Sequence, residues 1–258
     1  MEHDKLLKLV SERISDSRVL SLIEKMLKAD ISAAKGLEPT TRGTPQGGVA
    51  SPVLSNILLT PFDCEMRHKG YRITRYADDW LATCRTRQEA ESVLKTAQKV
   101  LTSLGVKLNL EKTRIVHVNT GFEFLGYKIK RGQRPLRLTQ QKIRSGVRQG
   151  NLYAYPRQKS IDKFKEEIRT RTQRKLPLSV EELIEGLNPV IRGWGNYYSK
   201  AQVRRLFNQL DRWIVRRLWS QHYKHWRNHG WKKWPAKRLY GEQGLVSLIH
   251  LIPSLKPN

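Results

Sequence analysis

The stretch Tyr71-Arg72-Ile73-Thr74-Arg75-Tyr76-Ala77-Asp78-Asp79-Trp80-Leu81-Ala82-Thr83-Cys84 decides the reading of the fold. Residues alternate in character up to Tyr76, Ala77-Asp78-Asp79 turns, and Trp80–Cys84 returns, so the pattern predicts a β-hairpin. Directly after it, Thr86-x-x-Glu89 is a capping box. Ala90, Val93, Leu94, Ala97, Val100, Leu101 and Leu104 then recur at helical spacing until Gly105 stops the run. Short strand candidates follow at 106–110, 114–118 and 122–129. Before the hairpin, a helix is expected from Ser51-Pro52 to Gly70. It emerges from a loop rich in Gly36, Pro39, Gly43, Pro45, Gly47 and Gly48. Two helices are expected ahead of that loop. One places Leu6, Val10 and Ile14 on a face, and the other does so with Val19, Leu20, Ile23 and Leu27. This mixture predicts an α+β domain with a mainly antiparallel sheet.

The chain has 258 residues and carries 49 Lys+Arg against 23 Asp+Glu, a formal net charge of +26. That length can bury a sizeable core, as one large domain or two small ones. At 38% hydrophobic residues the chain is not a disordered tail. No apolar run approaches the ~18 residues that a membrane-spanning helix needs, so no membrane partner is expected. The opening Met1-Glu2-His3-Asp4-Lys5 is unlike a signal peptide. Cys64 and Cys84 lack metal-ligand spacing, which argues against a zinc module or a disulfide scaffold and fits a reducing compartment.

A charge of this size repels itself in a compact state, and a polyanion relieves the repulsion. Nucleic acid is the leading partner class, against the plainer reading of a basic, solubilising surface. Residues 1–130 hold 21 Lys+Arg and 15 Asp+Glu, whereas residues 131–258 hold 28 and 8. Trp194, Trp213, Trp219, Trp226, Trp231 and Trp234, six of the seven tryptophans, lie in the more basic half. Cations interleaved with aromatic rings suit phosphate contact plus base stacking, although some rings will be core. Binding through such a surface should weaken steeply with salt. The composition changes near residue 131. Residues 131–159 read as a basic linker or surface arm, and a helix is expected at 160–173. Ser179-x-x-Glu182 caps another helix. A long helix near 203–228 places Val203, Leu206, Phe207, Leu210, Trp213, Ile214 and Leu218 on one face and arginines on the other.

The adjacent carboxylates of Asp78 and Asp79 have two readings. Asp is a common turn former, so a solvated turn suffices. Alternatively the pair is a Mg²⁺ site, since Mg²⁺ takes one or two carboxylates plus substrate phosphates. Two such ions about 4 Å apart can activate an attacking hydroxyl and stabilise a leaving phosphate oxygen. Arg42-Gly43-Thr44-Pro45-Gln46-Gly47-Gly48-Val49-Ala50-Ser51-Pro52 is a stiffened loop open to close backbone approach, which alone is a weak signal. Together with the hairpin it is a stronger one.

RGTPQGGVASPVLSNILL (42–59), RYADDW (75–80), GVKLNLEKTRIVH (105–117) and FEFLGYKI (122–129) resemble, in order and spacing, successive motifs of reverse transcriptases encoded by group II introns. LNPVIRGWGNYY (187–198) resembles the maturase, or domain X and thumb, signature of the same family. The resemblance covers nearly the whole chain. It implies an α+β fold in which part of a polymerase palm (1–130) and a basic linker (131–159) are followed by an all-α maturase domain (160–258). It implies Asp78 and Asp79 as the carboxylates for two Mg²⁺ ions. It implies that Tyr76 and Ala77 pack beneath the primer end and incoming nucleotide, and that Gln46, Gly47 and Gly48 line the templating pocket. Lys112 is implied as the proton donor to pyrophosphate, with an exposed lysine after a strand as the alternative. Phe124, Leu125, Gly126 and Tyr127 match the primer-grip strand, with ordinary strand packing as the alternative. Arg192, Trp194, Tyr197 and Tyr198 match the maturase signature, for RNA contact or for packing, and packing is favoured for Trp194. Arg204, Arg205, Arg216 and Arg217 are expected to meet RNA.

The implied partners are intron RNA, an RNA template with its DNA primer, and a deoxynucleoside triphosphate (dNTP). The implied location is the cytoplasm of a bacterium, or an organelle, without secretion. One departure matters. The family's first catalytic aspartate and its fingers precede the helix that opens here at His3-Asp4-Lys5-Leu6-Leu7, and Asp4 more plausibly serves that helix's N-terminus. The expectation is weak or no polymerase activity for this polypeptide alone, with an upstream fragment as a candidate partner. A non-catalytic RNA-binding splicing cofactor is the competing reading, and Asp78→Ala separates the two.

Overall fold

The computed structural model describes residues 3–29, 31–33, 36–38, 49–132, 152–223 and 235–253. They divide into two compact units, Met1–Ile115 and Val116–Asn258.

In the first unit, the short amphipathic helices α1 (His3–Ser11) and α2 (Ser17–Lys28) pack together through Leu6, Val10 and Leu27. Asp16 caps α2 through its carboxylate, which accepts from the Arg18 N–H at 2.7 Å. Strands β1 (Ile31–Ala33) and β2 (Gly36–Glu38) pair antiparallel. Helix α3 (Ser51–His68) carries apolar residues on two faces. Leu54 and Leu58 join Leu6, Val10 and Leu27 in one cluster. Leu59, Phe62 and Met66 join Val93, Ala97 and Leu101 of α4 (Arg87–Ser103) in another. Burying a Leu or Phe side chain contributes ~2 kcal/mol, so α3 is the element that both clusters depend on. The expected hairpin forms as β3 (Arg72–Tyr76) and β4 (Asp79–Thr83). Its Ile73, Trp80 and Ala82 pack on the α3–α4 cluster, with Trp80 edge-on to Phe62 at 5.5 Å. The Thr86 hydroxyl caps α4 as the sequence expects, accepting from the Glu89 N–H at 3.1 Å.

The strands expected at 106–110 and 114–118 do not form. The carboxamide oxygen of Asn109 accepts from the N–H groups of Glu111 and Lys112, both at 3.1 Å. Its carbonyl accepts from the N–H and the hydroxyl of Thr113 at 3.0 and 2.7 Å. An Asx-type turn therefore replaces the strand pairing. Val106 and Leu108 still pack on the α3–α4 cluster, while Ile115 and Val116 are exposed.

In the second unit, the single strand expected at 122–129 is two strands, β5 (Phe122–Phe124) and β6 (Tyr127–Arg131), reversed at Leu125-Gly126. Within the basic stretch, β7 (Leu152–Pro156) pairs with β6, so the sheet order is β5-β6-β7 and all pairing is antiparallel. Helices α5 (Gln158–Arg171), α6 (Val180–Tyr198), α7 (Arg204–His222) and α8 (Ala236–Gly241) follow, with a 3₁₀ turn at Leu248–Leu251. The Ser179–Glu182 capping box on α6 is complete in both directions. The core of this unit includes Ile168, Leu187, Ile191, Phe207, Leu210, Ile214, Leu218, Leu239 and Leu248. Buried Asp211 on α7 pins the 3₁₀ turn. Its carboxylate accepts from the Ser247 hydroxyl at 2.8 Å and from the N–H groups of Leu248 and Ile249 at 2.9 and 3.2 Å. The fold is α+β, with the antiparallel strands divided among three small sheets. Among the described residues no helix is long and apolar enough to cross a membrane.

Candidate functional site

Tyr76 pairs with Asp79, which leaves Ala77-Asp78 as a two-residue hairpin loop. Ala77 adopts a left-handed backbone with φ +54°. That conformation costs an L-residue about 1–2 kcal/mol, and it persists only where the surroundings hold it. The holding group is the half-buried Arg75. One guanidinium nitrogen donates to the Ala77 carbonyl and to the Asn56 carboxamide oxygen of α3, both at 2.8 Å. The other edge binds the Asp63 carboxylate in a fork, Nε to Oδ1 at 2.9 Å and Nη2 to Oδ2 at 2.6 Å. This bond with Asp63 holds the Arg75 pKa above its usual value. Two segments singled out in the sequence thus meet physically. The helix that follows the glycine-rich loop supplies Asn56 and Asp63, and the RYADDW segment supplies Arg75 and Ala77.

The clamp leaves the acidic doublet exposed at the tip. Among the described residues, neither the Asp78 nor the Asp79 carboxylate accepts a hydrogen bond or an ion pair. Strand alternation puts Tyr76 on the same face as Asp79, and its ring is 68% exposed. Lys112 is exposed on the Asn109 turn. Gln46, Gly47 and Gly48 lie outside the described residues. Among the described residues no group of three or more His, Cys, Asp or Glu could hold a metal ion by itself. The thiols of Cys64 and Cys84 are free.

The second constellation brings together FLGY and NYY, which are some 70 positions apart in the chain. Leu125 and Gly126 both have positive φ, +48° and +78°, the arrangement of a tight two-residue hairpin turn. The Tyr197 hydroxyl donates to the Leu125 carbonyl at 2.7 Å, and the Tyr198 hydroxyl to the Gly126 carbonyl at 3.2 Å. In return the Tyr127 hydroxyl donates to the Tyr197 carbonyl. Burial, then the adjacent Tyr197 and Tyr198, push the Tyr127 phenol above its ordinary pKa. Trp194 stacks on Phe164 at 4.5 Å and its indole N–H reaches the Ser160 hydroxyl at 3.4 Å, so its ring is a packing element. Phe124 is half-buried on β5.

Arg192 is exposed on α6. Arg204, Arg205 and Arg216 are exposed on α7, the first two lining a shallow groove with Asn208, Gln209 and Arg212. Arg217 is half-buried. It closes the C-terminal end of α5, donating to the Thr172 hydroxyl at 3.0 Å and the Thr172 carbonyl at 2.9 Å. Burial, with Arg169 and Arg174 nearby, lowers its pKa.

Sequence reading missed Arg75, Asp63 and Asn56 as a unit, and also Asn188. The Asn188 carboxamide ties α6 to the Gly244 carbonyl at 3.0 Å and the Val246 N–H at 2.8 Å. The available signal was weak: charged or amide residues on the apolar sides of α3 and α6. Gly126 is the position where the latch tolerates no side chain, because a Cβ there would stand 2.7 Å from the Tyr198 hydroxyl. Gly126→Ala is expected to cost about 2 kcal/mol, combining left-handed strain with that clash. Urea unfolding of the purified variant reads the loss.

Residues 1–129 match the family model described as reverse transcriptase (RNA-dependent DNA polymerase), and residues 161–241 match the group II intron, maturase-specific domain. "Protein YkfC" of Escherichia coli is 34% identical over 167 residues, covering 51% of this chain and 44% of that protein. "Group II intron-encoded protein LtrA" of Lactococcus lactis subsp. cremoris is 25% identical over 289 aligned positions, covering 82% and 48%. The "Uncharacterized 91 kDa protein in cob intron" of Schizosaccharomyces pombe is 26% identical over 284, covering 83% and 35%. The chain therefore spans less than half the length of these relatives. With the reverse transcriptase model over the first half, the maturase model over the second and the five motifs in order within them, the chain belongs to the group II intron reverse transcriptase and maturase family.

Proposed function

We propose that this chain carries part of the polymerising centre of a group II intron reverse transcriptase, together with its maturase domain. In this reading residues 1–130 are palm, 131–159 a basic arm, and 160–258 the maturase domain. The observation that carries the proposal is the uncommitted Asp78-Asp79 doublet, held out on a strained loop by the Arg75 clamp. The donor set suits Mg²⁺, being hard carboxylate oxygens with no partner among the described residues. Asp78 and Asp79 would hold it, and the bound metal supplies charge neutralisation at the triphosphate and acidifies the primer 3′-hydroxyl.

The chain's own residues have separate tasks. Tyr76 and Ala77 present a flat floor to the primer end and the incoming dNTP. Gln46, Gly47 and Gly48 line the templating pocket. Lys112 delivers a proton to the departing pyrophosphate. Phe124, Leu125, Gly126 and Tyr127 grip the primer from the tyrosine-latched turn. Arg192, Trp194, Tyr197, Tyr198, Arg204, Arg205, Arg216 and Arg217 serve intron RNA, the exposed arginines and exposed Tyr197 by direct contact, and Trp194, Tyr198 and Arg217 by shaping the domain. Organellar or bacterial cytoplasmic location follows from the reading.

Two carboxylates are few for a two-metal centre, so the polypeptide by itself should extend a primer weakly or not at all and gain from an upstream fragment that supplies a further carboxylate. The test is Mg²⁺-dependent extension of a DNA primer on an RNA template by the 258-residue chain, alone and with that fragment. Fragment-dependent synthesis supports the proposal. Robust synthesis by the chain alone overturns the incomplete-centre part of it. The second reading, an RNA-binding splicing cofactor without polymerase chemistry, draws on the basic second half, 28 Lys+Arg against 8 Asp+Glu over residues 131–258, and needs no carboxylates. Splicing assistance with no synthesis under any reconstitution would select it.

A further inference from the structure

The three-stranded sheet of the second unit has two unlike faces. Its register sets Phe122, Ile129 and Ala154 in one row and Phe124, Tyr127 and Pro156 in another, on the face that carries Tyr127 against the helical core. The opposite face carries Glu123, Lys128 and Tyr155 in one row and Lys130 with Tyr153 in the next. Lys128 and Lys130 are exposed, and Tyr155 is 42% exposed. The Tyr153 and Tyr155 rings are near-parallel, with centroids 6.3 Å apart and planes 21° apart.

The rings are placed as plates rather than as core. A Cβ at residue 132 would stand 2.0 Å from the Tyr153 ring, so the ring lies across the chain where Gly132 leaves room for it. Among the described residues neither phenolic hydroxyl has a hydrogen-bond partner, and neither ring is part of the helical core. Glu123, the one acidic group in these rows among the described residues, lies 3.9 Å from Arg157 and is paired with it. The face therefore presents two adjacent aromatic surfaces with two ammonium groups on the neighbouring strand.

We propose that this face is a binding platform for single-stranded RNA. Bases stack on Tyr153 and Tyr155, and the phosphates between them meet Lys128 and Lys130. A duplex keeps its base faces inside its own stack and cannot use the rings. An anionic strand satisfies the cations, and stacking on an aromatic ring tolerates any base. The choice of RNA over DNA rests on the proposed maturase role. The placement of rings and lysines stands without it and without the Asp78-Asp79 doublet.

The experiment uses the full chain, without metal or nucleotide, and a labelled single-stranded RNA 12-mer carrying 4-thiouridine. Photo-crosslinks should map to the peptide containing Tyr153 and Tyr155. Tyr153→Ala with Tyr155→Ala should weaken binding about tenfold or more. Tyr153→Phe with Tyr155→Phe should restore it, since stacking needs the ring and not the hydroxyl. Lys128→Gln with Lys130→Gln should reduce the slope of log K against log salt by about 1.4, the share of two phosphates. Crosslinks confined to other peptides, or unchanged affinity in the double-alanine variant with its circular dichroism intact, would overturn the proposal. Equal binding and the same crosslinks with single-stranded DNA would overturn the assignment to RNA. Because the assay contains no metal, primer or dNTP, failure of the polymerase reading leaves its outcome untouched.

Discussion

Asp78→Ala is expected to lower RNA-templated primer extension by about 10³-fold in the fragment-complemented protein, while RNA binding stays within about twofold. A carboxylate that holds a catalytic metal contributes several kcal/mol of transition-state stabilisation, and ~4 kcal/mol corresponds to about a thousandfold in rate. The side chain makes no bond to the rest of the described structure, so its removal orphans no partner and the fold has no reason to change. Single-turnover extension at saturating dNTP, with unfolding measured alongside, separates the chemistry from stability. Retained extension in Asp78→Ala would remove the doublet from the mechanism.

Arg75→Ala is expected to destabilise the first unit by about 3 kcal/mol. Asp63 and Arg75 are only 15% and 11% exposed at their side chains. Removing the guanidinium therefore leaves a mostly buried carboxylate without its partner, the costly way to break such a pair. It also strips the Ala77 carbonyl and the Asn56 carboxamide of their shared donor. Arg75→Lys keeps the charge but not the fork, so it should recover only part of the loss. Hydrogen exchange at the β3 and β4 backbone amides reads both variants, because Arg75 lies in that ladder directly opposite Trp80. A loss below ~1 kcal/mol would place Arg75 among ordinary surface ion pairs.

The two expectations differ in how they could be reached. The doublet and its hairpin were readable from residues 71–84, since alternation and turn residues are local signals. Helix α4 was readable for the same reason, from one capping box and one apolar stripe. Local signals failed at 106–118, where β-branched and apolar residues imitate strands but no strand among the described residues pairs with them. Asn109 decides that stretch by bonding its own backbone. They failed again at 122–129, where a strand pattern hides a turn. Leu125 is a poor residue for positive φ and gives no warning of one.

The expected RNA contacts in the NYY segment show a subtler limit. Tyr198 is buried and bonds to Gly126 and Ser160, and Arg217 bonds to the end of α5. Their chemistry fits RNA, and in sequence they are indistinguishable from exposed Arg216 or Tyr197. Whether a polar group faces a phosphate or a carbonyl depends on which helix crosses its own.

The amino-acid order by itself determined the family, the α+β class, the helix starts at Ser51, Thr86 and Ser179, and the hairpin that displays Asp78 and Asp79. Each of these is written within a few turns of helix or a few residues of strand, where backbone geometry reads the pattern directly. Only the tertiary structure decided the Asn56–Asp63–Arg75 clamp, the Tyr127–Tyr197–Tyr198 latch and the two-faced sheet of Tyr153 and Tyr155. Those depend on contacts between residues 12 to 72 positions apart, and the energy of such a contact leaves no periodic trace in the chain that makes it.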